Sequence, residues 1–349
     1  MKHPGWFAVM AVLLLSAHAS AQENWADVPS RAEFKDSQEL CRQVRGVKVP
    51  EADKPDAATR KALKGCSSEA LYYGMGVPAD PIRARQCAFL ELEAADSADS
   101  HQRVFSGRVM LMTIYANGVG AKRNLDIAID QACHLSAAPY EHDGRVKHLA
   151  ELKAKGWTGN TFSYCDDITS GFAQGVCSDH DARLAAQERT RHLDKLMEKW
   201  SAADRQAFTS LQKALDTFIE TRGDNEVDLS GSARAAMVIS DEEEHRADFT
   251  ALLERLEQGK GPQASAEEFK AADAELNKVY QGVQKYPDED VAWGTVTKAG
   301  IKKTQRAWLK YRDAWVAFAR TRHPSITREA LSFELTKQRI ARLEYFLLP

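Results

Sequence analysis

Apolar side chains recur at intervals of three and four positions through the second half of the chain. One such stripe consists of Phe208, Leu211, Leu215, Phe218 and Ile219. This period places the side chains on one face of an α-helix. Similar stripes predict helices before it, ending near Trp200, and after it, over Ser232–Leu256. Ser201 followed by Asp204 forms a capping-box-like start for the middle helix. The predicted fold class is all-α.

Polar and glycine-rich breaks divide this pattern. The acidic segment Gly223–Asp228 is expected to end one helix, and the clearest linker is 259–263, which contains Gly-Lys-Gly-Pro. Beyond it, a capping box at Ser265 opens a helix, and a long helix is expected from about Asp290. We therefore predict an antiparallel three-helix bundle over residues 264–349, and a helical domain over residues 161–258, so that one or two such bundles complete the chain.

A shorter repeat occupies the first half. The run Gly-Met-Gly-Val from Gly74 is echoed by Gly-Val-Gly-Ala from Gly118, at an offset of 44 residues. In each copy an apolar helix runs into glycines, which allow a sharp turn, and an amphipathic helix follows. The stretch 60–140 resembles the Sel-like repeat family, relatives of tetratricopeptide repeats. We predict a short helical-hairpin repeat domain over residues 22–160, closed by flanking helices or disulfides because two repeats alone rarely suffice.

A longer sequence repeat relates the two halves of the remaining chain. At an offset of 93 residues, Gln212 falls on Gln305, Phe218 on Tyr311 and Arg246 on Arg339. We hypothesise that residues 162–256 are a diverged first copy of the last domain. The alternative is chance register between two unrelated groups of amphipathic helices.

The first 21 residues have the three parts of a cleavable export signal. Lys2 supplies positive charge, an apolar run follows over residues 6–15, and Ala19-Ser20-Ala21 provides the small residues that a signal peptidase needs. An apolar run of about ten residues is too short to span a bilayer. We expect a mature chain from about Gln22, in the periplasm and without an integral membrane segment.

Cysteine usage agrees with export. The chain has 6 cysteines, all in its first half, at positions 41, 66, 87, 133, 165 and 177. An even number in an exported chain indicates disulfides, but the spacing leaves most of the pairing open.

A group of polar and aromatic positions at helical spacing in the last domain carries the most specific pattern. Its members are Asp273, Asn277, Tyr280, Gln305, Trp308, Tyr311, Arg312, Asp313, Thr336 and Arg339. This pattern resembles the domain of the lysozyme inhibitor LprI and its bacterial relatives. The resemblance implies a non-catalytic protein that binds lysozyme or another peptidoglycan-cleaving enzyme. It also favours a disulfide between Cys165 and Cys177, whose spacing resembles the opening of many related proteins.

Two roles are open for these motif residues. The aromatic positions share one helix face and fit a bundle core. Arg312 could reach Asp273 and Asn277 as a clamp between helices, because a guanidinium beside a core needs acceptors. Alternatively, Tyr280, Arg312 and Arg339 help to form a partner-binding surface. The family commonly has a cysteine where this chain has Val316, and no cysteine follows Cys177, so the chain departs from the family at that disulfide.

Composition and motifs argue against other classes. The chain has 47 Lys+Arg against 50 Asp+Glu, which gives no bias towards nucleic acid. Nucleotide-loop, hydrolase and metalloprotease motifs are absent from the sequence, and we expect no cofactor and no catalytic residues. Two arrangements have residue types that can bind a metal, His142 with His148 and the run Glu242–His245. Both fit solvated helix faces better.

These observations leave three functions. The first is a periplasmic inhibitor or immunity protein, in which the acidic stretch Asp241–Glu244 could face a basic enzyme. The second is an envelope adaptor or scaffold that binds protein partners through its helical repeats. The third is a cell-wall hydrolase with an unrecognised site.

Overall fold

The computed structural model describes residues 24–29, 31–95 and 104–348. Within these ranges the protein is all-α, with 13 α-helices and no strand, which confirms the predicted fold class. The predicted export signal lies outside the described residues. None of the described helices combines the length and apolar character needed to cross a membrane. Contacts between residues divide the chain into two units. One unit runs to Tyr72 and continues over Ala79–Tyr164, and the other consists of Tyr73–Pro78 and the residues from Cys165 onwards.

Seven α-helices are described before residue 165. They are α1 (Lys35–Val44), α2 (Ala57–Ala62), α3 (Ser68–Tyr73), α4 (Pro81–Ala95), α5 (Gly107–Asn117), α6 (Leu125–Cys133) and α7 (Pro139–Ala154). Helices α4 to α7 pack in sequence, each on the next, and α1 packs on α6 and α7. Two disulfides fasten this unit: Cys41–Cys133 joins α1 to α6, and Cys66–Cys87 joins the segment before α3 to α4.

The two copies of the 44-residue sequence repeat make the same backbone hydrogen bond at their turns. The backbone N–H of Asp80 donates to the carbonyl of Leu71 at 2.7 Å, and that of Asn124 donates to the carbonyl of Tyr115 at 3.0 Å. Both residues of the second bond lie 44 positions after those of the first. Gly120 has a φ of +89°, and a Cβ there would lie 2.3 Å from the carbonyl oxygen of Pro81. Only glycine fits this turn without strain.

Six longer helices form the other unit. They are α8 (Gly171–Leu196), α9 (Ala202–Asn225), α10 (Arg234–Glu257), α11 (Ala266–Lys285), α12 (Lys298–Arg322) and α13 (Arg328–Glu344). The capping boxes expected at Ser201 and Ser265 are both present and open α9 and α11. A third disulfide, Cys165–Cys177, fastens the start of α8 to the segment before it. It is the pair that the family resemblance favoured.

One predicted boundary is confirmed and one is wrong. Helix α9 ends at Asn225, inside the acidic segment expected to end it, and Gly223 within its last turn packs against Val238 of α10. Helix α12 begins at Lys298 instead of near Asp290, since the Thr297 side chain accepts from the N–H of Gly300 and so caps the helix there.

The two groups of three helices share one core. Helix α8 packs on α10 and α11 packs on α13, whereas the middle helices α9 and α12 pack mainly on each other. Buried side chains from both groups form a continuous cluster that includes Leu211, Phe218, Trp315 and Leu335. Helices on both sides of the predicted linker therefore bury their apolar faces together.

Candidate functional site

The aromatic motif residues lie in the core. Trp308 and Tyr311 are buried on α12, and the Tyr311 ring stacks on Phe218 of α9 at 5.3 Å between centroids and 11° between planes. Burial raises the pKa of the Tyr311 hydroxyl. Thr336 is also fully buried, and its hydroxyl has no hydrogen-bond partner among the described residues. These three residues shape the core and cannot contact a partner directly.

Arg312, Asp273 and Asn277 form a half-exposed cluster between α11 and α12. The Arg312 guanidinium lies over the Trp308 ring at 5.1 Å and 3.4 Å from the Asp273 carboxylate. Asn277 donates its amide to the Asp273 backbone carbonyl at 2.8 Å and to the Asp273 carboxylate at 3.4 Å. Asp313 points outward, with 69% of its side chain exposed. Half-buried Tyr280 has a raised pKa because it is partly desolvated.

Arg339 occupies the centre of the shared core. Its Nε donates to Gln305 Oε1 at 2.8 Å, and its two terminal nitrogens donate to the two Glu226 oxygens at 2.8 and 2.5 Å. The side chains are 1% and 0% exposed for Arg339 and Glu226. This bidentate pair links α13 to the end of α9. Arg339 therefore supports the fold from within and is not part of an accessible surface.

Glu226 belongs to a larger charge network that sequence reasoning missed. Arg222 donates to Glu226 at 2.5 Å and also to both Asp241 oxygens, at 2.9 to 3.0 Å. Nearby, Arg342 donates to Glu244 in bidentate form. One sequence feature could have indicated this: Arg222 follows Phe218 and Ile219 at helical spacing, and an arginine on an apolar face needs a buried acceptor.

The acidic run Asp241–Glu244 is largely neutralised within the protein. Glu243 accepts two hydrogen bonds from Arg189, while Asp241 and Glu244 pair with arginines as described. Glu242 has a raised pKa, chiefly because it is partly desolvated. The expectation that this stretch faces a basic enzyme therefore loses its support, because three of its four carboxylates already pair with arginines.

His245 faces the core beside this network. Its ring meets Phe218 edge-on at 5.2 Å between centroids. Burial, together with the positive charge of Arg222 and Arg342, lowers the pKa of His245 to about 3. In the other unit, His142 stacks on Trp25 at 4.5 Å, and burial lowers its pKa to about 4. Within the described ranges no cluster of three or more histidine, cysteine or acidic side chains could hold a metal ion.

A groove of about 1200 Å³ opens above the charge network. Helices α8 and α10 form one wall, and the α11–α12 loop and the end of α13 form the other. Arg222, Glu226, Asp241 and Arg342 line its floor. Three large apolar side chains that line the groove are unusually exposed: Met237 at 46%, Tyr345 at 70% and Leu348 at 64%. Among the described residues this groove combines an accessible apolar surface with a fixed polar floor.

Comparison with known proteins identifies the last domain. Residues 256–343 match the family model described as Lysozyme inhibitor LprI, which confirms the resemblance found in the motif. An uncharacterized protein of Rhizobium meliloti is 35% identical over 92 residues, covering 22% of this chain and 65% of that protein. The match thus spans less than two thirds of the relative. No solved structure matches the chain.

Proposed function

We propose that this protein is an exported, non-catalytic inhibitor that acts in the periplasm on a lysozyme or another peptidoglycan-cleaving enzyme. The observation that carries the proposal is the match of residues 256–343 to a family of lysozyme inhibitors. Three disulfides and no free cysteine among the described residues favour an oxidising compartment.

The groove supplies a surface of the kind that protein partners use. Its exposed Met237, Tyr345 and Leu348 offer an apolar area at which a partner can bury side chains. Tyrosine and methionine are enriched in protein interfaces. The motif residues act indirectly in this proposal, because Arg339 binds Glu226 of the groove floor from the core.

The test is an inhibition assay with the purified mature chain. The chain is titrated into a lysozyme that degrades labelled peptidoglycan, and the same titration is repeated with a small soluble oligosaccharide substrate. Inhibition on both substrates supports the proposal, because it shows that the enzyme itself is bound. Inhibition on peptidoglycan alone would mean that the protein covers the wall, and no inhibition of lysozymes or other wall hydrolases would refute the proposal. Release of label without added enzyme would favour the hydrolase alternative.

A second candidate function, an envelope adaptor, draws on the first unit. Its paired helices share the same turn hydrogen bond 44 residues apart, as in a Sel-like repeat domain over residues 22–160. Helical repeats commonly hold protein partners. A defined envelope protein that co-purifies with the chain would favour the adaptor if mutations in the helices of this unit abolish the co-purification and mutations in the groove do not.

We also propose that residues 162–256 are a diverged first copy of the domain at 264–349. The support is the pattern of packing: α8 with α10 repeats as α11 with α13, and the two middle helices meet. Phe218 and Tyr311, which the 93-residue offset superposes, stack on each other. Equivalent residues meet in this way at a two-fold axis. A superposition of α8–α10 on α11–α13 that shows unlike helix order or handedness would refute the duplication.

A further inference from the structure

The arginines and the carboxylates that line the groove above the charge network differ in whether they already have an ion-pair partner. Both arginines that line it are already bound: Arg222 to Asp241 and Glu226, and Arg342 to Glu244. Their guanidinium groups are therefore committed to internal carboxylates. A partner that enters the groove finds no uncommitted cation among these lining residues.

Two lining carboxylates are in the opposite situation. Asp181 on α8 is exposed, and no basic side chain of the described residues lies within ion-pair distance of it. Asp228 accepts hydrogen bonds from Ser230 and Thr295 but has no ion-pair partner in the described structure. These bonds lower the pKa of Asp228 to about 2, so it stays ionised at neutral pH. The groove thus offers negative charge alone to a ligand.

The walls of the groove are also held in place before a partner arrives. Asp228 links the α9–α10 loop to the α11–α12 loop, since it accepts from the Thr295 N–H at 3.0 Å. Trp293 in the second loop packs on Phe346 at 5.3 Å between ring centroids. Walls that are ordered in advance reduce the entropy lost on binding.

We propose that this groove binds a cationic segment of a partner protein that presents an aliphatic or aromatic side chain next to lysine or arginine. The apolar side chain packs between Met237, Tyr345 and Leu348, and the basic group lies near Asp181 and Asp228. This inference rests on the proposed function, from which it takes that the partner is a protein. It adds the surface at which the partner binds and the chemistry of the contact. Acidic segments are disfavoured, because like charges meet without compensation.

The experiment uses the full mature chain and two labelled amphipathic helical peptides, one of leucine and lysine and one of leucine and glutamate. Fluorescence anisotropy measures the dissociation constant of each. We expect the lysine peptide to bind about tenfold more tightly, as two exposed ion pairs would allow. Asp181→Lys should weaken the lysine peptide about fivefold. Tyr345→Ala should weaken it about tenfold through lost apolar contact.

A matched control lies on the same helix. Asp194 is also an exposed aspartate of α8 but does not line the groove, so Asp194→Lys should leave both dissociation constants unchanged. All three positions are exposed, and equal thermal unfolding of the variants verifies that they fold. Equal binding of the two peptides, or an equal effect of Asp181→Lys and Asp194→Lys, overturns the inference. The inference is also overturned if the chain forms a dimer that Tyr345→Ala dissociates while peptide binding is unchanged. The groove would then be an interface between two copies of the chain.

The same variants separate this inference from the proposed function. Selective peptide binding without inhibition of lysozyme or of other wall hydrolases refutes the proposed enzyme partner and leaves the groove as a binding site. Inhibition that survives both Asp181→Lys and Tyr345→Ala overturns the groove and leaves the proposed function. Inhibition that is lost with both variants and kept with Asp194→Lys supports the two together.

Discussion

The substitution Glu226→Gln tests whether the two three-helix groups form a single folded unit. Glu226 is fully buried and receives hydrogen bonds from Arg222 on its own helix and from Arg339 on α13. Glutamine keeps the shape of the side chain but removes its charge. It also replaces one acceptor oxygen by an amide donor that would face guanidinium donors.

The expected loss in free energy of unfolding follows from burial. Removing one partner of a buried ion pair costs about 3–5 kcal/mol, because the remaining charge is left desolvated without compensation. Arg339 would keep its bond to Gln305, and Arg222 would keep Asp241. Arg339 is then the charge left without a carboxylate, because Gln305 is neutral. Against a typical total stability of about 5–15 kcal/mol, the loss is large.

Urea unfolding monitored by tryptophan fluorescence measures this loss. Four of the chain's 7 tryptophans, at positions 200, 293, 308 and 315, lie in the region of α8–α13. The control is Glu244→Gln, because the Glu244 and Arg342 side chains are 55% and 28% exposed. An exposed pair of this kind contributes at most about 1 kcal/mol. Adding Arg339→Met to Glu226→Gln should recover part of the loss, since the uncompensated charge is then gone.

The reasoning is refuted if Glu226→Gln costs no more than Glu244→Gln. That result would mean that water reaches the pair in solution and that the core between α9 and α13 is not closed.

Three further predictions concern pH, a turn and a disulfide. The free energy of unfolding should fall as pH is lowered from 6.5 towards about 3, because His245, whose pKa in the folded chain is lowered to about 3, takes up its proton mainly in the unfolded chain. His245→Gln should reduce this slope by up to about 1.4 kcal/mol per pH unit, measured by urea unfolding across the range; an unchanged slope would contradict the burial. Gly120→Ala should cost at least about 2 kcal/mol because its Cβ would clash, while Gly65→Ala, with a φ of +73° and nothing within 4 Å, should cost about 1 kcal/mol; equal melting temperatures would refute the contrast. Cys177→Ser, which removes the bond to Cys165, should lower stability by about 3 kcal/mol, and a non-reducing peptide map showing another pairing would refute the assignment.

Local patterns in the sequence predicted the helices well. The apolar stripe from Phe208 to Ile219 and the capping boxes at Ser201 and Ser265 identified α9 and α11, because periodicity and capping act within a few residues. The acidic segment from Gly223 also ended α9 as expected. The start of α12 was placed too early, because the Thr297 side chain caps the helix at Lys298.

The candidate site was predicted only in part. The motif named Gln305 and Arg339 correctly as notable residues, but it could not show that Glu226, 113 positions earlier, accepts from Arg339. Nothing in the surroundings of Glu226 in the sequence distinguishes it from the other acids near it. Exposed groove residues such as Tyr345 and Leu348 also look like ordinary apolar positions at the end of a helix.

By itself, the sequence determined the all-α class, the resemblance of the last domain to the lysozyme inhibitor family, and the even set of cysteines. Each of these depends on residue types at short spacing. Only the tertiary structure decided that α9 and α12 meet, that Arg339 is buried on Glu226, and that both arginines lining the groove are paired while Asp181 and Asp228 have no ion-pair partner among the described residues. The reason is that burial and ion pairing depend on which distant segments are brought together, and helical periodicity fixes a face without fixing what covers it.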